Sequence, residues 1–187
     1  LKQMLRANAL VIFNPVAKNV IQGSLVKDKS GFNRDAQISG NIQIHDNSFI
    51  LDGNSYLHVS DIGNPAGNWK HSISCWFYFD ELPLAYSRPF FIGLNSDNKC
   101  SSCQIELNTS APVYAGSRAV YSVKLHWYYY GNDVTFYPDI RPRAWYHICF
   151  VYDNDNNKHL YVNGTLFGPQ VNYYGTIQSP SPLNINA

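Results

Sequence analysis

Charge is scarce in this chain: acidic and basic residues make up 14% of its 187 positions and balance to a net charge of +1. No run of like charge occurs. The clustered basic face that nucleic-acid binding requires is therefore missing, and an anionic membrane surface has nothing to attract. Long apolar runs are missing as well. The longest near the start, Ala9 to Phe13, is far too short to span a bilayer, and no charged start followed by a long apolar centre marks a signal peptide. Glutamate is reduced to Glu81 and Glu106. No G-x-S-x-G, H-E-x-x-H or glycine-rich phosphate loop is found, and the six histidines are scattered. These absences point away from catalysis and from any resident cofactor.

What is present favours strands. The chain holds 14 Tyr, 10 Phe and 4 Trp, together with many Val, Ile and Thr, the residue types that fit a pleated, half-buried surface. Its hydrophobic share of 45% is enough for a core and argues against disorder. Residues 1–13 are compatible with a short amphipathic helix, since Leu1, Met4, Leu5 and Ile12 share a face. Beyond Pro15, short β-rich segments alternate with turn clusters, the pattern of an all-β sandwich or barrel. Strands are expected at 36–44, 49–51, 56–60, 72–79, 90–94, 104–108, 120–129, 145–153, 159–163 and 183–185. Asp52-Gly53, Gly131-Asn132, the polar run 153–157 and Asn163-Gly164 mark turns. Alternation sends Ile73, Cys75, Phe77 and Phe79 to one face, and Tyr121, Val123, Leu125, Trp127 and Tyr129 to one face of a second strand. The stretch from Trp145 to Tyr152 is apolar on both sides and is expected to lie centrally in a sheet.

Five segments occur in an order that resembles the laminin G-like, concanavalin A-like jelly rolls. They are Lys27-Asp28-Lys29-Ser30-Gly31-Phe32-Asn33-Arg34-Asp35-Ala36, Phe49-Ile50-Leu51-Asp52-Gly53-Asn54-Ser55-Tyr56-Leu57 and His71-Ser72-Ile73-Ser74-Cys75-Trp76-Phe77-Tyr78-Phe79. The last two are Trp145-Tyr146-His147-Ile148-Cys149-Phe150-Val151-Tyr152-Asp153 and Leu160-Tyr161-Val162-Asn163-Gly164. The resemblance implies an antiparallel two-sheet jelly-roll sandwich over residues 27–187, preceded by residues 1–26 as a short helix, an extended arm or a lead-in. The family's final strand has no counterpart after Pro182-Leu183-Asn184-Ile185-Asn186. Either the natural chain continues past Ala187, or Leu10–Phe13 or a strand from a partner chain is expected in its place.

The cysteines are similar in placement to those of pentraxins, and that resemblance implies neighbouring sulfurs at Cys75 and Cys149. They form either a disulfide or two reduced, apolar cysteines. Cys100 and Cys103 make a C-x-x-C with no second pair and no following helix, so a local bridge or a free pair is expected in place of a zinc or redox site. The same resemblance places Asp97 and Asn98 where pentraxins hold part of a calcium site. Even with Asp52 these are too few oxygen ligands for calcium, which takes about six to eight, and a solvated loop is the expectation. The glucan-hydrolysing relatives need paired carboxylates on one strand about 5–5.5 Å apart; Glu81 and Glu106 belong to no such motif. An outward surface at Tyr128, Tyr130 and Asn132 is the expected place for a ligand or partner. Asn108-Thr109-Ser110 and Asn163-Gly164-Thr165 fit the N-glycosylation pattern.

The expected function is a non-catalytic module that recognises a carbohydrate or glycoprotein in an extracellular or cell-surface setting. The alternative is a structural jelly-roll subunit of a large assembly, such as a minor capsid or coat protein in a virion, whose partners are neighbouring subunits. A glycoside hydrolase ranks third. Neither nucleic acid nor a membrane span is expected.

Overall fold

A computed structural model describes residues 13–16, 19–63, 70–81, 91–94, 103–109, 113–115, 118–120, 123–128, 134–153, 157–170 and 183–186. Every element in it is a strand. In chain order they are β1 (Ile21–Gln22), β2 (Leu25–Val26), β3 (Ala36–Ser39), β4 (Gln43–His45), β5 (Ser48–Ile50), β6 (Tyr56–Val59), β7 (His71–Tyr78), β8 (Phe91–Leu94) and β9 (Cys103–Thr109). They continue as β10 (Val113–Ala115), β11 (Arg118–Val120), β12 (Val123–Tyr128), β13 (Val134–Phe136), β14 (Trp145–Tyr152), β15 (Lys158–Val162), β16 (Thr165–Gln170) and β17 (Leu183–Asn186).

Two large antiparallel sheets form the sandwich. One has nine strands in the order β1-β2-β3-β6-β17-β8-β9-β12-β13; the other has four, β16-β15-β14-β7. The hairpins β4-β5 and β10-β11 stand apart from both. Period-two alternation decides which side chains meet between the sheets. Val123, Leu125 and Trp127 of β12 are buried, and so are Ile148, Phe150 and Tyr152 of β14 and Leu160 of β15. The Trp127 and Phe150 rings cross edge-on at 5.0 Å and 90°, and Phe136 meets Phe150 at 6.3 Å and 74°. This aromatic cluster is the contact that clamps one sheet on the other. Lys158 is fully buried on the same side, its ammonium 5.9 Å from the Trp127 ring, where a cation is attracted by the π face.

The alternation of β7, that of β12 at Val123, Leu125 and Trp127, and the central position of β14 match the expectations, while Tyr121 and Tyr129 lie outside the described residues. Three differences stand out. The segment expected as one strand over 36–44 breaks after Ser39, because Gly40 takes a φ of +81° and a Cβ there would lie 2.9 Å from Ser55 Cα. The hairpin β4-β5 turns on Asp46 and Asn47, both at positive φ (47° and 60°), a two-residue turn that lacks the usual glycine. Of the strand expected over 120–129, Val120 closes β11 and Val123–Tyr128 form β12, and residues 121, 122 and 129 lie outside the described residues. Finally, the lead-in assigned to residues 1–26 is already part of the sandwich from Val20 onward. β1 and β2 pair and join the sheet at β3, with Val20 and Val26 in the core. The helix or arm expected over residues 1–12 lies outside the described residues.

The loop from Lys27 to Asp35 is pinned by carboxylates in place of strand pairing. Asp28, itself buried, accepts the Ser30 amide (2.8 Å), the Ser30 hydroxyl (2.5 Å) and the Arg34 amide (3.1 Å), while its own amide donates to Asp35 (2.9 Å). Asp35 also pairs with Lys27. Burial works against the charged form of Asp35, but the Lys27 ammonium and the Asp28 amide outweigh it and hold its carboxyl below the ordinary aspartate value. Replacing Asp28 by alanine strands two backbone donors and is expected to lower unfolding stability by about 2–3 kcal/mol in urea denaturation.

Candidate functional site

Among the described residues, the outward face of the four-stranded sheet carries both exposed tryptophans. The alternation that sends Ile73, Cys75 and Phe77 inward turns Ser72, Ser74, Trp76 and Tyr78 out on β7. On β14 the outward residues are Trp145, His147, Cys149 and Val151. Register then places Trp76 opposite His147 and Tyr78 opposite Trp145. The rings meet as two tilted pairs: Trp76 and His147 at 5.1 Å and 46°, Tyr78 and Trp145 at 5.4 Å and 42°. Despite this contact Trp76 stays 64% exposed, Trp145 49% and Tyr78 38%. None of the outward residues of the two strands carries a fixed charge.

Polar groups at the edges of the patch fix its shape. Ser74 Oγ lies 2.8 Å from His147 Nε2 and holds the imidazole against Trp76. The Tyr78 hydroxyl donates to Asp80 (3.3 Å). The His147 backbone is held from the other side by the turn after β15. Asn163, at φ +49°, donates its amide to the His147 carbonyl (2.8 Å), and its side-chain Oδ1 accepts the His147 amide (2.9 Å). The asparagine side chain thus supplies one extra rung to the ladder, and the sequence needs Asn-Gly here for both the positive φ and that rung.

A serine and a histidine in hydrogen-bond reach can form a nucleophilic pair. On the face of a sheet, however, backbone amides run in the plane toward neighbouring strands and offer no pair of donors to a developing oxyanion. The dyad's evident role is to orient the imidazole.

The cysteines differ from the pentraxin-like arrangement. Cys75 stands opposite Ile148 and Cys149 opposite Ser74, so the two occupy adjoining strands but face opposite sides of the sheet. Both are free thiols. Their Cβ vectors point apart, which forbids a bridge without backbone movement. Burial, with Cys149 nearby, pushes the Cys75 thiol up to about 12, and burial also raises Cys149. A folded-state value above the unfolded one means that the neutral thiol stabilises the fold, fully below about pH 8.5 and less as pH climbs toward 12. Urea midpoints between pH 8 and 10.5 are expected to fall more steeply for the native chain than for Cys75→Ala; parallel slopes would show that Cys75 does not contribute.

Of the other residues singled out in the sequence, Asp97, Asn98, Cys100, Tyr130 and Asn132 lie outside the described residues. Cys103 opens β9 and Tyr128 closes β12, and their side chains also lie outside the description. Asp52 is committed to its own turn: Oδ1 accepts the Asn54 amide (3.0 Å), which with Ser55 keeps its carboxyl below the ordinary value. Among the described residues no group of three His, Cys, Asp or Glu side chains is placed to hold a metal ion, and no helix is long and apolar enough to cross a membrane. The sequence reading missed Trp76 and Trp145. The signal was there, because placing Cys75 and Phe77 inward commits Trp76 to the outside.

A two-sheet antiparallel jelly roll with these motif strands defines the concanavalin A-like class of sandwich. The chain belongs to the laminin G-like family described as the concanavalin A-like lectin/glucanases superfamily, whose model matches residues 51–186. No curated protein sequence matches it. Among solved structures it is similar to the binding domain of Paraclostridial Mosquitocidal Protein 1 (TM-score 0.66, 17% identity), covering 97% of this chain and 45% of that one. It is also similar to the Botulinum neurotoxin serotype D binding domain (TM-score 0.63, 16% identity, 94% and 42%). A third is domain 4 of AbnA, an extracellular arabinanase of Geobacillus stearothermophilus solved with arabinotriose (TM-score 0.56, 18% identity, 85% and 76%). The chain spans less than half the length of the two toxin domains.

Proposed function

We propose that this domain is a non-catalytic binding module that recognises carbohydrate, free or on a glycoprotein, through the outer face of β7 and β14, in an extracellular or cell-surface setting. The observation that carries the reading is the charge-free patch of Trp76, His147, Tyr78 and Trp145, with two tryptophans about half exposed or more. Sugar rings present an apolar C–H face and a polar rim. An indole desolvates the first, while Ser74, His147 and the Tyr78 hydroxyl stand beside it to meet the second. The likeness to an arabinanase domain solved with arabinotriose agrees with this chemistry. The assembly-subunit alternative, with its virion setting, draws no support from the comparisons.

A glycan array followed by calorimetry on the hits tests the proposal, with and without chelator. Binding that survives chelation and is lost on removing the tryptophans supports it. Binding that disappears with chelator would move the site to the Asp97-Asn98 loop, and a blank array at high protein concentration overturns the carbohydrate reading.

A further inference from the structure

The outward surface of β7 and β14 is laid out in four rows, because antiparallel register sets each outward residue of one strand against one of the other. Two rows are rings, Tyr78 with Trp145 and Trp76 with His147. The other two are small or short, Ser74 with Cys149 and Ser72 with Val151. The ring rows are neighbours, and the rise of a strand separates them by about 6.7 Å along its direction. That step is comparable to the length of one sugar unit. Side by side, the two rows make a platform for two consecutive units. Beyond Trp76 and His147 the surface steps down to serine, cysteine and valine, which offer no ring to stack on.

Charge is kept off this platform. None of the eight outward residues is Asp, Glu, Lys or Arg. The charges that flank the strands stand past their ends, and each end holds both signs. At the Tyr78 end, Asp80 accepts the Tyr78 hydroxyl (3.3 Å) and Arg143 lies within electrostatic reach of the same hydroxyl. At the other, Lys70 precedes β7 and Asp153 follows β14. A carboxylate or sulfate seated on the indoles would lose water with no cation among the eight residues to replace it, which is costly. Neutral hydroxyls meet no such penalty. Ser74 Oγ, bonded to His147 Nε2 (2.8 Å), keeps hydrogen-bonding capacity for one of them.

We propose, resting on the carbohydrate reading above, that the ligand class of this face is an uncharged glycan chain bound over two consecutive units that lie along β7 and β14, one on each ring row. The Trp76 row takes one unit, with Ser74 and the imidazole at its rim. The Trp145 row takes the next, with the Tyr78 hydroxyl at its rim. A single sugar fills only half of the platform and binds weakly. A third unit passes over residues without rings and adds little. Acidic sugars are selected against by the absence of a cation, not by a repelling charge.

Calorimetry with ladders of neutral oligosaccharides of one to four units, built of glucose, xylose, mannose, galactose or arabinose, tests it beside oligogalacturonides and sialylated and sulfated glycans. Affinity is expected to rise at least about tenfold from one unit to two, and by less than about threefold with each further unit. Acidic chains are expected to bind at least about tenfold more weakly than neutral chains of the same length. In the double variant Tyr78→Ala, Trp145→Ala, the gain from the second unit should vanish while single-unit affinity persists. A merely structural role would weaken every rung alike. A preference for acidic chains, an affinity indifferent to length, or an equal loss at every rung overturns this inference and leaves carbohydrate recognition standing. No binding to any of the glycans, neutral or acidic, removes the carbohydrate reading itself and this inference with it.

Discussion

Phe150→Ala is expected to cost about 3–5 kcal/mol of unfolding stability, the range for removing a fully buried aromatic from a packed core. Its ring is the one that both Trp127 and Phe136 approach edge-on from the opposite sheet. Truncating it opens a void at the point where the two layers are clamped, and the flanking strands cannot collapse into it without losing register with β7 and β15. Urea denaturation should show a much lower midpoint with a nearly unchanged slope. A loss under about 1 kcal/mol would mean that the layers are held elsewhere.

The second large effect lies on the other side of the same sheet. Trp76→Ala and Trp145→Ala are each expected to weaken glycan affinity by roughly thirtyfold or more, equivalent to about 2 kcal/mol for a hot-spot aromatic. Because both indoles face outward, stability should move by no more than about 0.5 kcal/mol. Calorimetry and denaturation on the same variants separate the two quantities. If affinity is unchanged in both variants, the patch is not the binding surface, whatever the array reports. Equal losses of affinity and stability would show that the rings act through packing and not through contact with the ligand.

Much of this fold was legible because its longest strands alternate cleanly. In β7 and β12 the period of two runs for six to eight residues, long enough to fix both the strand and its inner face, while β14, apolar on both sides, was legible as a central strand. The burial of Trp127 followed from its place beside Val123 and Leu125. Strands of two or three residues carry no period to read, which is why β1, β2, β10 and β13 went unseen. β16 was hidden by Gly168 and Pro169, residues that argue against a strand in general but are tolerated at an edge. The expectation of neighbouring sulfurs at Cys75 and Cys149 failed on register, and of its two alternatives the reduced pair is the one present. Matching positions in two motifs say that two strands are neighbours, whereas a slip of one residue decides which face each thiol takes. The aromatic patch was within reach of the alternation argument. It was overlooked because Trp76 and Trp145 also mark the fold, and a residue that identifies a family is easily taken for one that only packs.

The placement of β17 bears on how the molecule acquires its shape. Leu183–Asn186 lies in the middle of the nine-stranded sheet, bonded to β6 on one side and β8 on the other. Its partners in β6 are more than 120 positions upstream, so the sheet stays in two halves until a segment far along the chain arrives between them. Folding should accordingly be slow. The half-sheets waiting with open flanks are the species a chaperone would meet.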